Sequence, residues 1–298
     1  MKETHVLRIL TAIITVAATF FATTSCNNAK HEEANRLLDT AYKQKDYDRL
    51  MLLADSLHSA GDISDAKMYY WQGYAYDRKK DSPNASSSWR KAMAAAISSG
   101  SADDEVMYEK AATRLSNLLC VSGDYAGTLE VSLPAIKRIE ELKRDTTSDY
   151  VNLLIYTGLC QTTVGKPEHD TENAFFIANK KHLENIQRNR CDATYKEAIA
   201  GLVNIAYYCV NAKKYEAALY YTGSFGELLA EYQHRPGVDT VYIDRQIGRF
   251  TAYKAQALYM VGRRREAADT YNAFLETHFC HSAEGQKLAE TYQSITGQ

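Results

Sequence analysis

The side chains best able to bind a metal lie together near the end of the sequence, in HFCH at residues 278–281. His278, Cys280 and His281 could all bind a metal, but a structural zinc site needs four ligands. No second cluster occurs at zinc-site spacing, so we predict a helix end here, with no metal or cofactor. The acidic run SADDE, residues 101–105, predicts a helix start, because carboxylates in a first turn complement the helix dipole.

Catalytic motifs are also missing from the sequence. It contains no Walker loop, GxSxG, HExxH or dinucleotide-binding fingerprint. The basic stretch GRRRE, residues 262–266, is interpreted as a solvated turn, since exposed arginines alone contribute little affinity. Because no acid, base and nucleophile can be assigned to one site, we predict a protein that is not an enzyme.

Composition favours helices and disfavours a nucleic-acid partner. The 298 residues include 35 basic and 37 acidic side chains, for a formal net charge of -2. That balance argues against a strongly basic surface. Glycine and proline, which punctuate loop-rich and β-rich chains, number only 15 and 4. An all-α fold is therefore predicted.

The N-terminus has the pattern of a targeting segment. Lys2 and Arg8 precede the apolar run of residues 9–22, which is shorter than the about 20 residues needed to span a bilayer. TTSC follows and ends at Cys26. This pattern resembles a bacterial lipoprotein signal, in which the cysteine becomes the acylated first residue. Ordinary secretory cleavage or an uncleaved anchor is the alternative.

This resemblance implies a location and three segments. We expect a signal peptide at residues 1–25, a short tether at 26–31 and a helical-repeat domain at 32–298. Lipidation of Cys26 would anchor the chain in the bacterial cell envelope, at the outer membrane or the periplasmic face. The sequence leaves open which membrane and leaflet hold the anchor.

Five further cysteines are too few and too irregular for an exported disulfide framework. Their number is odd and no CxxC occurs. Three of them fall late in apolar helices and are predicted to be buried thiols: Cys120, Cys160 and Cys209. Cys191 and Cys280 lie near helix ends, and whether any of the five pair is left open.

The stretch 69–96 predicts a helical hairpin. Helical spacing runs over residues 66–79 and again over 84–99. Between them, Ser82 suits an N-cap and Pro83 suits the first helical position. The small residues Gly73, Ala85 and Ala92 would allow the two helices to cross closely. The aromatic residues Tyr76 and Trp89 would fill the remaining gaps.

The same pattern recurs along the chain. A turn with Lys, Gly or Asp is followed by Tyr and an apolar helix. Four copies lie at 43–57, 121–133, 211–225 and 260–274, and a degenerate copy lies at 164–178. Together with the hairpin at 69–96, they predict six hairpins. Residues 282–296 would form a capping helix with Ser282 as its N-cap.

The spacing of Gly73, Tyr76, Ala85, Trp89 and Ala92 resembles a tetratricopeptide repeat. That resemblance implies a right-handed solenoid of antiparallel helix pairs, with a concave face lined by first helices. Residues 52–76 are also similar to the helical-repeat ectodomains of bacterial envelope sensor kinases and regulators.

The resemblance also places a candidate binding groove. Tyrosines on first helices and outside packing positions would face the concave side, and they are Tyr42, Tyr70, Tyr74, Tyr207 and Tyr259. Polar side chains expected on the same surface are Lys67, Arg78, Asn117 and Asn211. Tyrosine offers apolar contact area and a hydroxyl at low entropic cost, which suits peptide or sugar binding. An incidentally aromatic surface is the alternative, whereas Tyr76 is assigned to the hairpin core.

These features together predict a non-catalytic interaction protein of the bacterial envelope. Its partner would be a protein or peptide, with no nucleic acid, and the membrane would be reached through the lipid. Two alternatives stay open. One is a glycan-binding lipoprotein, because starch-utilisation lipoproteins also carry helical repeats and tyrosine-rich sites. The other is a truncated relative of the sensor ectodomains.

Lipidation of Cys26 is directly testable. The Cys26→Ala variant should move from the membrane fraction to the soluble envelope fraction and lose labelling by a fatty-acid analogue, because it lacks the thiol that is acylated. Continued acyl labelling of this variant would rule out Cys26 as the lipidated residue.

Overall fold

The structure, a computed structural model, describes residues 30–165 and 173–297. Cys26 and most of the loop inserted in the degenerate hairpin lie outside these residues. Every regular element in the described ranges is helical, which confirms the all-α prediction. None of the helices described is both long and apolar enough to cross a bilayer.

The described residues form two compact units, 30–111 and 112–297, whose boundary falls within helix α5. Unit 1 contains α1 (residues 30–43), α2 (Tyr47–Ser59), α3 (Asp65–Arg78), α4 (Ser82–Ser99) and the start of α5 (Ala102–Val121). Unit 2 continues with α6 (Tyr125–Glu141), α7 (Ser148–Thr163), α8 (Ala174–Arg188), α9 (Asp192–Asn211), α10 (Tyr215–Tyr221), α11 (Phe225–Gln233), α12 (Thr240–Met260), α13 (Arg264–Leu275), a short 3-10 helix (His278–His281) and α14 (Ala283–Thr296).

Successive helices pair as predicted. Helices α1, α3, α5, α7, α9 and α12 are the first helices of six hairpins in the described chain, and each is followed by its second helix. Three of the second helices begin at the tyrosine that follows the turn: Tyr47, Tyr125 and Tyr215. Helix α14 is capped as expected, since the Ser282 hydroxyl accepts a hydrogen bond from the Gly285 amide at 3.0 Å.

The turn inside each hairpin explains the Lys, Gly or Asp of the repeated pattern. A residue with positive φ ends the first helix, as at Lys45, Lys80 and Lys213, with φ of 59°, 62° and 59°. The next amide then donates back to a carbonyl of the last turn; the Asp81 amide reaches the Tyr76 oxygen at 2.9 Å. This bonding satisfies carbonyls that would otherwise have no partner.

An aspartate follows the left-handed residue in several of these turns and caps the next helix. Asp81 accepts hydrogen bonds from the Asn84 amide and side chain, at 3.3 and 2.7 Å. The predicted cap, Ser82, is instead the first residue of α4. The prediction was wrong by one residue, because the carboxylate of Asp81 reaches the free amides of the first turn.

The α3–α4 crossing depends on Gly73. A Cβ at this position would lie 2.6 Å from both Cδ1 and Nε1 of Trp89. Trp89 is 1% exposed, and Ala85 and Ala92 are fully buried beside it on α4. The prediction of a close crossing at Gly73 is therefore confirmed, and the side chain that occupies the space is the Trp89 indole.

The cysteines predicted to be core thiols are buried: Cys120, Cys160 and Cys209. Cys120 and Cys160 hydrogen-bond to each other, and this bond together with burial raises the pKa of the Cys120 thiol. Cys280 is also buried, whereas Cys191 is half-buried at the start of α9. All five are free thiols here.

The fifth hairpin differs from the expected pattern. Its second helix ends at Tyr221 after seven residues and resumes as α11 at Phe225. The Thr222 hydroxyl donates to the Ala218 carbonyl at 2.5 Å, a local bond that competes with regular helix geometry. Thr222, Gly223 and Ser224 form the turn between the two short helices.

Burial disfavours the charged form of one histidine, His182. His182 on α8 is 8% exposed, and its Nε2 has no hydrogen-bond partner among the described residues. It packs against Gly201 of α9, where a Cβ would collide with the imidazole. Burial lowers the pKa of His182 to about 4.

Gly73 gives a matched pair of stability measurements. Gly73→Ala should lower the free energy of unfolding by about 1–3 kcal/mol, because the methyl group meets the Trp89 indole. Gly226, in α11, has no atom within 4 Å of its Cβ position, so Gly226→Ala should be neutral or stabilise by up to about 1 kcal/mol. Denaturant unfolding followed by far-ultraviolet circular dichroism measures both. Equal effects would mean that the crossing has room for a side chain.

His182 predicts a loss of stability in mild acid. Below its ordinary pKa of 6.5 the unfolded chain binds a proton that the folded chain does not accept until about pH 4. The free energy of unfolding should therefore fall by about 2 kcal/mol between pH 7 and pH 5. His182→Leu should flatten this dependence, whereas His234→Gln, at an exposed histidine, should not. An unchanged slope in His182→Leu would contradict the assignment.

Candidate functional site

The predicted groove residues fall in both units. Tyr70, Tyr74 and Arg78 lie on α3 of unit 1, and the rest lie in unit 2: Asn117 on α5, Tyr207 and Asn211 on α9, and Tyr259 on α12. All are on first helices, as expected. The predicted groove residues are therefore divided into two groups, one in each unit.

The predicted orientation of α3 is wrong. Tyr70 and Tyr74 are only 7% and 3% exposed, whereas Tyr76, assigned to the core, is half-buried. Tyr74 belongs to the hydrophobic cluster formed with residues of α1 and α2 such as Leu38 and Leu50. Because α3 packs against α2 as well as α4, the helix side assigned to a groove is covered.

Four rings form an aromatic cluster in unit 1: Tyr42, Tyr70, Trp71 and Tyr74. The Tyr42 ring lies 5.0 Å from Tyr74 and 5.8 Å from Trp71, and Tyr70 lies 5.3 Å from Trp71. Arg78 covers Tyr74, with its Nε donating to the phenol oxygen at 2.8 Å. Burial, assisted by a bond with Tyr42, raises the pKa of Tyr74 to about 12, although Arg78 opposes the shift. Tyr42, at 37%, is the exposed edge of the cluster.

A second aromatic group, the tyrosine ladder of Tyr156, Tyr207, Tyr208 and Tyr253, crosses three first helices of unit 2. Tyr156 on α7 lies 5.8 Å from Tyr208 on α9, measured between ring centroids. Tyr207 lies 5.1 Å from Tyr208 and 5.5 Å from Tyr253 on α12. Contacts of α9 with α7 and α12 bring these helices side by side.

The ladder combines buried rings with one exposed ring. Tyr207 is 37% exposed, whereas Tyr253 is buried and the other two are half-buried. Burial raises the pKa of Tyr156, Tyr208 and Tyr253. A tyrosine phenol is protonated at neutral pH even at its ordinary pKa of about 10, so these groups can donate hydrogen bonds. Such a surface offers a ligand the exposed Tyr207 ring, which is positioned by its contacts with Tyr208 and Tyr253.

Only Tyr207 of this ladder was predicted. The doublet at residues 207–208 was the available signal for Tyr208, but Tyr156 and Tyr253 have no local signal. Their proximity to α9 arises from packing between hairpins, which sequence spacing within one hairpin does not encode.

The remaining predicted residues of unit 2 are more scattered. Asn211 is the exposed last residue of α9. Tyr259 is half-buried, with the Arg264 guanidinium 5.0 Å above its ring and Tyr292 6.2 Å away. Asn117 is half-buried, and its Oδ1 has no hydrogen-bond partner among the described residues. The binding role of Asn117, Asn211 and Tyr259 stays a prediction.

Lys67 lies in a polar pocket of unit 1 with a volume of about 290 Å³, rather than on an open face. Its ammonium donates to the Asn35 side chain. Burial lowers the pKa of Lys67, whereas the nearby carboxylates of Asp103 and Asp104 oppose that shift. Asp104 is buried and accepts hydrogen bonds from the hydroxyls of Ser64 and Ser99, so its main contacts are within the protein.

The HFCH stretch forms the short 3-10 helix before α14, with Phe279 and Cys280 buried. Throughout residues 30–165 and 173–297, no three His, Cys, Asp or Glu side chains converge as metal ligands. The SADDE stretch opens α5, as predicted.

The paired helices define an all-α helical-repeat architecture, with a cluster of aromatic rings in each unit. No protein-family model matches the sequence, and no curated protein matches it.

Three solved structures are similar to this chain. Pseudomonas aeruginosa pilF is 13% identical, with 89% of this chain and 99% of that chain covered and a TM-score of 0.47. The apo form of RapI is 12% identical over 88% and 99% of the two chains, also with a TM-score of 0.47. BtubC from P. vanneervenii is 14% identical over 83% and 92%, with a TM-score of 0.43. Similarity at this level identifies no partner or activity.

Proposed function

We propose that this chain is a non-catalytic scaffold of the bacterial cell envelope, anchored by a lipid at Cys26, which binds a protein or peptide. The observation that carries the proposal is the tyrosine ladder of unit 2. Its Tyr207 ring is exposed at 37% and rests against Tyr208 and Tyr253. Tyrosine held this way supplies contact area at low entropic cost.

The envelope part of the proposal rests on the sequence. A basic start, a short apolar run and TTSC ending at Cys26 resemble a lipoprotein signal. Peptide binding is favoured over glycan binding because the ladder joins several rings across three helices. An extended partner could follow that row of rings.

The proposal is tested by capture from solubilised envelopes, with the full-length chain as bait. The matched variants are Tyr207→Ala, on the ladder, and Leu133→Ala, at an exposed apolar residue (46%) on α6 that lies in neither candidate surface. Once a partner is identified, Tyr207→Ala should weaken its binding about tenfold or more, as expected for an aromatic hot spot. Leu133→Ala should bind this partner like the wild type.

The melting temperature of Tyr207→Ala should stay close to the wild-type value, because the ring is partly exposed. A partner whose affinity is unchanged by Tyr207→Ala, or falls with Leu133→Ala alone, would overturn the assignment to the ladder. Binding on a glycan array without any protein partner would favour the glycan-binding alternative instead.

A further inference from the structure

The break between α10 and α11 opens a cavity in unit 2. The other second helices, α2, α4, α6, α8 and α13, run for 12 to 18 residues, but α10 has only seven. The space beside the break has a volume of about 540 Å³, within the size range of ligand pockets. Its lining is mainly apolar, with Leu219, Phe225 and Leu229 from α10 and α11, and Ile247 and Phe250 from α12.

A second pocket of about 450 Å³ adjoins the first, and Gly223 of the break lines both. Large apolar side chains surround it: Phe176 and Leu183 on α8 and Tyr220 on α10 are 40%, 48% and 45% exposed. Exposed apolar residues are ordinary when isolated, but a group around a concavity marks an interaction site.

Two lysines and one aspartate are the charged side chains that line the two pockets. Lys180 lines the second pocket, and Lys254 and Asp269 line the first. All three side chains are exposed. A partner with acidic residues beside its apolar ones is therefore the better electrostatic match.

We propose that these adjoining pockets, the paired pocket, bind an amphipathic helix of a partner protein that carries acidic residues. Apolar residues one or two turns apart on such a helix would enter the two concavities, as in other helix-in-groove complexes. Its carboxylates would face Lys180 and Lys254. This surface is formed by α8, α10, α11, α12 and α13, and none of the four ladder tyrosines lines it.

Synthetic peptides test this proposal on the purified full-length chain. The first is a helix of about 15 residues, long enough to be helical when bound, with leucines along one face and glutamates elsewhere. The second replaces every glutamate with lysine. Fluorescence anisotropy of the labelled peptides should show tighter binding of the acidic form.

Three variants locate the binding. Leu183→Glu and Lys180→Glu should each weaken binding of the acidic peptide about tenfold or more, and Lys180→Glu should improve binding of the lysine peptide. The matched control is Leu133→Glu, at a leucine with 46% exposure on α6, which should bind the acidic peptide like the wild type. Circular dichroism and melting temperature check that each variant is folded.

Four outcomes would overturn the proposal. The acidic peptide could fail to bind, or it could bind equally to the wild type and to folded Leu183→Glu. Alternatively, sedimentation could show a dimer of the wild-type chain that Leu183→Glu abolishes, in which case a second copy occupies the pocket. Loss of peptide binding in Tyr207→Ala would instead place the peptide on the ladder.

Discussion

Close contact between an aromatic ring and a helical glycine sets how these helices pack. The Trp89 indole fills the space at Gly73, and Phe175 does the same at Gly158, where a Cβ would lie 2.6 Å from the Phe175 amide nitrogen. His182 and Phe279 take the equivalent role at Gly201 and Gly248. Since only glycine leaves room for the ring, each contact fixes the rotation and height of one helix against its neighbour. The side chains that remain for other uses are those facing away from these contacts.

Local chemistry made the hairpins predictable from sequence. Turn residues, helix caps and the tyrosine after each turn act within a few residues, so the starts of α2, α6, α10 and α14 were anticipated. The burial of the α3 side that carries Tyr74 was not anticipated, because it results from packing against α1 and α2. The tyrosine ladder depends in the same way on packing between hairpins. The sequence thus placed candidate residues on the right helices but not always on the right faces.

Unit 2 carries two kinds of candidate surface. One is the tyrosine ladder on α7, α9 and α12, in which Tyr208 and Tyr253 support the exposed Tyr207. The other is the paired pocket, which lies at the interruption between α10 and α11 and is also lined by α8, α12 and α13. If both proposed surfaces bind, the chain could hold two partners at once. The ladder would select a partner by its shape and hydrogen-bonding groups. The paired pocket would select a partner that carries large apolar side chains and negative charge.

Both tryptophans of the chain, Trp71 and Trp89, lie on helices α3 and α4 of unit 1. At the long-wavelength edge of protein absorption only tryptophan absorbs, so excitation there reports on unit 1 alone. Tyrosines, which absorb at shorter wavelengths, occur in both units. Trp89 is enclosed at the Gly73 crossing, so its emission is blue-shifted while that crossing is intact and moves to longer wavelength when it opens. Without any added label, the intrinsic emission of this protein thus distinguishes the melting of unit 1 from that of the chain as a whole.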